Sequence, residues 1–218
     1  MNDIINISLN GKILDNTVTI SDSTTDRKDF KVLLVYPNLP LMLVPPLAIA
    51  LFTNILKKEK YQVSLFDTTG YLSDEKTSPE NRVKFLQARN FNYEKDLGVE
   101  IKDDLIGDFK QKIIDFRPHV LIFSVVEDAF HKTIKMLKTI KEFNIPHLIG
   151  GVFPTAAPDR CMEFEEIRMI GLGEGEKTIV DFTEAIRLNK SIYNIPGTWI
   201  KDEKNNIYKN KQGPLVDI

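Results

Sequence analysis

Five short apolar runs, each followed by a helical stretch, constrain this chain more than any other feature. KVLLVYPN (31–38) and HVLIFSVV (119–126) are apolar throughout, without the alternation of a strand that has one wet face. Such runs are buried on both sides, and in soluble proteins that means parallel strands sandwiched between helices. QVSLFDTT (62–69), PHLIGG (146–151) and Ile167–Gly171 complete the set. Helical segments lie between them. One starts with Pro46 at its first position and has Leu47, Ala50, Leu51, Asn54 and Ile55 on a common face. Others run from Lys102 to Phe116, stopped by Pro118, and from Ala129 to Phe143 with Asp128 as cap and Phe130, Ile134, Leu137 and Ile140 as buried stripe. The last, EGEKTIVDFTEAIRLN, turns Ile179, Phe182 and Ile186 inward. Strand–helix repeated five times predicts a doubly wound, five-stranded parallel α/β sheet of Rossmann-like type with right-handed crossovers.

The flanks read differently. Residues 1–29 hold an alternating segment around Asn10-Gly11, the signature of a hairpin, and then a polar linker. Residues 30–190 form the main domain, with 70–104 as a polar insertion containing a helix near Asn81–Ala88. Residues 191–218 read as a terminal β-hairpin and the start of a further linker. The sheet is thus expected to carry hairpin appendages at both ends.

Composition excludes several classes. A net charge of −2 with no basic face makes nucleic acid and anionic membrane poor partners. The single cysteine, Cys161, rules out an internal disulfide and any all-cysteine metal centre, and it reads as a small buried side chain. His119, His131 and His147 have no ligand spacing, so no metal site is expected. The start, MNDIINISLNGKILDN, has no signal-peptide pattern, and the longest apolar stretch, Leu39 to Phe52, contains three prolines and is too short to span a bilayer. A cytoplasmic location is expected.

In an open parallel sheet a ligand lies beyond the carboxyl ends of the strands. That edge collects Asn38, Leu39, Leu41 and Pro45 to Leu47 after the first strand, and Asp67-Thr68-Thr69 after the second. It adds Ser124, Val125 and Glu127 after the third, Gly150, Gly151, Pro154 and Thr155 after the fourth, and Gly171, Leu172, Gly173 and Glu174 after the fifth. Two glycine clusters on one edge favour a ligand over ordinary turns, because they let a bound group approach the backbone. The first loop is apolar and lacks G-x-G-x-x-G, and Pro45-Pro46 removes two amide donors, which disfavours a dinucleotide. Such a loop suits either a broad flat ligand or a neighbouring domain. Glu174 and Glu176 are expected in the first turn of the last helix, where they complement its dipole and repel a phosphate. No residue is assigned a catalytic role. Asp67 is a weak ribose-binding candidate in the absence of the glycine loop, and it fails as a receiver-type phosphoacceptor because it ends the second strand and no acidic pair follows the first.

The chain resembles the N-terminal cobalamin-binding domain of cobalamin-dependent radical SAM enzymes over residues 31 to about 210. The stretches that carry the resemblance are KVLLVYPN, VPPLAIALFTNILKKEKYQVSLFDTT, LIGGVFPTAAPD, IGLGEGEKTIVDF and YNIPGTWIKDEKNNIYKN, in that order. It implies a corrin on the strand edge over the loop Asn38–Leu47, with the nucleotide tail between sheet and helices. Ser124 would meet the tail, Gly150 and Gly151 would let it thread inward, and Gly171, Gly173 and Glu174 would line its other side. Methyl-carrying cobalamin domains of the methionine synthase type have D-x-H-x-x-G after the first strand. Here NLPLMLVPP holds no histidine, cysteine or lysine, so the resemblance implies cobalamin held with its base displaced and no protein ligand below cobalt. No C-x-x-x-C-x-x-C occurs, so S-adenosylmethionine and a [4Fe–4S] cluster belong to a radical SAM domain, in cis or trans, that this chain does not contain. The chain itself is then a non-catalytic module, and the whole enzyme a methyltransferase or relative. Two other readings stand beside this one: a domain using a nucleotide cofactor, and an interaction module using the apolar first loop.

Overall fold

A computed structural model describes residues 25–39, 46–71, 84–85, 93–98 and 100–213. The hairpin read around Asn10-Gly11, most of the helix read near 81–88, and loop residues Leu41 and Pro45 lie outside the described residues.

The strands are β1 (Lys31–Tyr36), β2 (Gln62–Asp67), β3 (Val120–Ser124), β4 (His147–Gly150), β5 (Met169–Gly171), β6 (Thr198–Lys201) and β7 (Ile207–Lys209). They form one sheet in the order β2-β1-β3-β4-β5-β6-β7. The first five are parallel, as the apolar runs require, and β6 and β7 are antiparallel. The terminal hairpin is therefore no appendage. It extends the main sheet, with Ile170 opposite Trp199 and Lys209 Nζ 3.7 Å from the centre of the Trp199 ring.

The helices are α1 (Leu47–Lys58), α2 (Tyr93–Leu97), α3 (Leu105–Phe116), α4 (Phe130–Thr139), α5 (Val152–Ala156), α6 (Pro158–Met162) and α7 (Glu176–Arg187). Period-2 alternation in each strand sorts the core into two layers. Leu33, Val35, Leu121, Phe123 and Ile149 pack with Phe109 and Ile113 of α3 and Phe130 and Ile134 of α4. Val32, Leu34, Val120, Ile122 and Leu148 pack with Ile49 and Leu56 of α1 and Ile179 and Phe182 of α7. Val32 to Val35 are fully buried, which explains why the run shows no alternation. Each such side chain contributes about 1.5–3 kcal/mol of burial.

Local boundaries depart from the sequence reading where backbone turns intervene. Pro46 is the N-cap rather than the first helical residue, its carbonyl accepting the Ala50 amide at 3.0 Å. The face of α1 also differs. Ile49 and Leu56 are buried and Phe52 and Ile55 pack beside them, whereas Leu47 is 80% and Leu51 42% exposed. Asp128 does not cap α4. The chain enters through a 3-10 turn, Glu127–Ala129, with the Ala129 amide on Val126 O, and α4 stops at Thr139 before a second such turn. Helix α3 begins later than expected, at Leu105, where the Asp104 carboxylate accepts the Gly107 amide at 2.8 Å. Helix α7 begins at Glu176, so Glu174 precedes it.

The insertion is closed at its base. Tyr71 and Lys102 form an isolated parallel bridge, and the Tyr71 hydroxyl donates to Asp108 at 2.7 Å. Among the described residues, no helix is long and apolar enough to cross a membrane.

Candidate functional site

Sheet register creates a gap at the carboxyl edge. Ser124 of β3 lies beside Gly150 of β4, and Ile149 lies beside Ile170, which places Gly171 next to Gly150. In parallel strands neighbours in register point to the same face, here the face covered by α1 and α7. Three adjacent strands thus end in a hydroxymethyl and two hydrogens where deeper positions carry Ile122 and Leu148. The missing bulk leaves a crevice of about 550 Å3 between the sheet, α1 and α7.

Nine of the residues picked out from the sequence line it: Leu47, Ser124, Gly150, Gly151, Thr155, Gly171, Leu172, Gly173 and Glu174. Five others lie elsewhere. Val125 and Pro154 are buried, and Glu127 is exposed in the turn before α4. Asn38 and Leu39 are buried under the edge, with Asn38 acting as a hub. Its amide donates to Thr68 Oγ1 at 2.8 Å, its side chain donates to Thr69 Oγ1 at 2.9 Å, and its carbonyl accepts the buried Lys132 Nζ at 2.6 Å. The loop therefore departs from β1 at a fixed point.

The residues missed from sequence are mostly apolar: Leu51 and Phe52 on α1, Ile122 and Leu148 on the floor, and Thr178 and Ile179 on α7. The signal was present in α1, whose two apolar faces are more than one core needs. Leu47 and Leu51 line the crevice, and Ile49 and Leu56 take the core.

The glycines divide by cause. Gly151 has φ +111°, and a Cβ there would stand 2.6 Å from the Val125 amide nitrogen and carbonyl oxygen, so its own backbone demands glycine. Gly150 is under no such pressure, since a Cβ would meet nothing nearer than Phe123 O at 3.7 Å. Its lack of a side chain serves the crevice. Thr155 ties the two glycine loops together, its hydroxyl donating to Gly151 O at 2.9 Å and accepting the Gly173 amide at 3.0 Å.

Polar groups in the crevice are few. Ser124 Oγ makes no hydrogen bond to any described residue, and Glu174 and Glu176 sit on the rim. The histidines are remote. His119 stacks on Phe30 and accepts the Lys31 amide, and His147 faces the carbonyls of Ile145 and Glu166. Burial pushes both imidazoles below their ordinary value, which keeps them neutral. His131 is exposed on α4. Burial pushes the Cys161 thiol up to about 11, as for an inert core cysteine.

Residues 83–183, spanning β3 to β5 and most of α7, match the family model of the B12 binding domain. Over that stretch the chain is similar to B12-binding domains. Its glycine-lined floor falls inside the matched span, and the α1 wall lies outside it. The fold of the chain is shared with parts of two larger enzymes. One is the radical S-adenosylmethionine methyltransferase TsrM from Kitasatospora setae, solved with cobalamin and a [4Fe–4S] cluster: TM-score 0.64, 19% identity, 89% of this chain and 30% of that one. The other is the cobalamin-dependent S-adenosylmethionine radical enzyme OxsB, solved with aqua-cobalamin and S-adenosylmethionine: TM-score 0.55, 17% identity, 86% of this chain and 23% of that one. The chain thus spans less than a third of either. No curated protein matches it in sequence.

Proposed function

We propose that this chain holds cobalamin with its nucleotide tail in the crevice and its corrin over the strand edge. No protein group ligates cobalt from below, and the dimethylbenzimidazole base is displaced into the fold. The observation that carries this reading is the floor of Ser124, Gly150 and Gly171, which opens a channel beneath the strand edge inside the matched span.

The residues fit the group. Leu47 and Leu51 offer apolar surface that otherwise stands open to water, and Ser124 Oγ offers a hydrogen bond to a base nitrogen. Gly173 is held by Thr155 against the other side of the channel. The loop 38–47 contains no histidine, cysteine or lysine to take the lower cobalt position. The carboxylates of Glu174 and Glu176 on the rim repel the single charge of a phosphodiester at the mouth less than the two charges of a pyrophosphate. When bound, cobalamin supplies a cobalt centre able to hold and hand on a methyl group. The chain's own residues do no covalent chemistry: they bind, orient and shield.

The partner is a radical SAM domain carrying S-adenosylmethionine and [4Fe–4S], in cis or trans, and the whole enzyme is a cytoplasmic methyltransferase or a close relative. TsrM and OxsB, both much longer than this chain, support that assignment by shared fold.

Electron paramagnetic resonance of the complex reduced to cob(II)alamin tests the ligation. A spectrum without nitrogen superhyperfine splitting is expected. Splitting from an axial nitrogen would overturn the displaced, histidine-free geometry.

A further inference from the structure

The walls of the crevice change character with depth. Its outer floor is Ser124, Gly150 and Gly171, and two residues deeper on the same strand face stand Ile122 and Leu148, each 2% exposed. Ile179 closes the same inner end from α7. Two backbone amides along the edge are already committed: that of Val125 bonds Gly150 O at 2.8 Å and that of Leu172 bonds Gly197 O at 2.8 Å. Thr155 spends its hydroxyl on Gly151 and Gly173. Among the described lining residues, the hydroxyls of Ser124 and Thr178 are what remains of inner polar side chains, with the two carboxylates out on the rim.

We propose that this crevice selects corrinoids by the polarity of the base that ends their nucleotide tail, accepting benzimidazole and phenolic bases and rejecting purines. The proposal rests on the reading of the crevice as the tail's site. A displaced benzimidazole has one ring nitrogen without a partner, and one hydroxyl satisfies it. An adenine in the same place adds two more ring nitrogens and an amino group. Two hydroxyls do not cover that set, so some of it would be buried unpaired against Ile122, Leu148 and Ile179, which is costly. A phenolic base, joined through its oxygen, brings no free polar atom and meets an apolar wall.

The test is a calorimetric titration of the full chain with four corrinoids: cobalamin, p-cresolylcobamide, adeninylcobamide and cobinamide, which has no tail base. Cobalamin and p-cresolylcobamide are expected to bind within about tenfold of each other, and adeninylcobamide at least roughly tenfold more weakly than cobalamin. Cobinamide is expected to bind more weakly than cobalamin because it leaves the crevice unfilled. Adeninylcobamide binding as tightly as cobalamin would overturn base selection while leaving the corrinoid reading intact. Cobinamide binding as tightly as cobalamin would overturn it too, by removing the tail from the crevice. Failure of all four to bind would overturn the corrinoid reading itself, and base selection with it.

Discussion

The hydroxyl of Thr155 accepts the backbone amide of Gly173 at 3.0 Å, joining the loop after β4 to the loop after β5. Gly173 holds a left-handed φ of +73°, so this amide is aimed by a conformation that few other residues adopt. Thr155→Val keeps the shape of the side chain and removes both the donor to Gly151 O and the acceptor for the Gly173 amide. With both bonds lost the two loops loosen: corrinoid affinity is expected to fall about fivefold and the melting temperature by roughly 2–4 °C, for ~1 kcal/mol at an exposed site. A spectrophotometric titration with hydroxocobalamin checks this, and Thr155→Ser should restore binding.

Gly150 and Gly151 are adjacent and should fail in opposite ways. Gly151→Ala places a Cβ 2.6 Å from the Val125 backbone at a φ of +111°. It is expected to cost ~3 kcal/mol or more and to lower the thermal midpoint by roughly 6–12 °C. Gly150→Ala meets nothing closer than 3.7 Å and should change stability by less than about 1 kcal/mol, while its methyl group on the crevice floor weakens corrinoid binding. Parallel melting curves and titrations separate the two effects.

The sheet was legible because its strands are buried on both faces, and period alone distinguishes them from the helices between. The glycine clusters were legible for the same reason, since each follows a strand. What was not legible lay in how shared surface is divided. Leu47 and Leu51 look like core residues of an amphipathic helix, yet the core takes Ile49 and Leu56 and the crevice takes the others. The hub at Asn38 depends on Lys132, 94 positions away, and no local pattern announces a lysine buried against a carbonyl. The terminal hairpin has the same local signal whether it stands apart or pairs with β5. Asp128 failed as a cap because the 3-10 turn at Glu127–Ala129 already organises the backbone there.

At the opposite end of the α1–α7 face, Arg27 pairs with Glu59 at the end of α1 and with Glu184 of α7, and Arg187 pairs with Glu184 at 2.7 Å. Burial alone would push the Glu184 carboxyl up, but hydrogen bonds from Arg187 and Arg27 outweigh it and hold the group below its ordinary value. A carboxyl depressed in the folded state contributes stability above its unfolded pKa, near 4.3, and loses it as pH falls through the folded value. Glu184→Gln should therefore be less stable than wild type by about 1 kcal/mol at pH 7, a modest figure because the pair is partly exposed. The gap should close as pH falls below about 4. Denaturant unfolding across that range checks it, and a gap that widens in acid would contradict the assignment.

Tyr71, buried at the base of the insertion beside its bridge to Lys102, donates to Asp108, which also pairs with Lys102 at 3.3 Å. Burial and the Asp108 carboxylate push the phenol above its ordinary value, so it stays protonated as a donor at neutral pH. Tyr71→Phe is expected to cost about 1 kcal/mol, a modest figure because the Asp108 acceptor is partly exposed. Hydrogen exchange of the Lys102 amide, which bonds Gly70 O at 2.8 Å, should quicken correspondingly.

A corrinoid is expected to occupy the crevice floored by Ser124, Gly150 and Gly171. Gel filtration of the full chain after incubation with excess hydroxocobalamin, with corrin absorbance read in the protein peak, tests it most directly. One corrinoid per chain should travel with the protein and show the spectrum of a base-displaced form. Folded protein that elutes with no corrin absorbance would contradict the account.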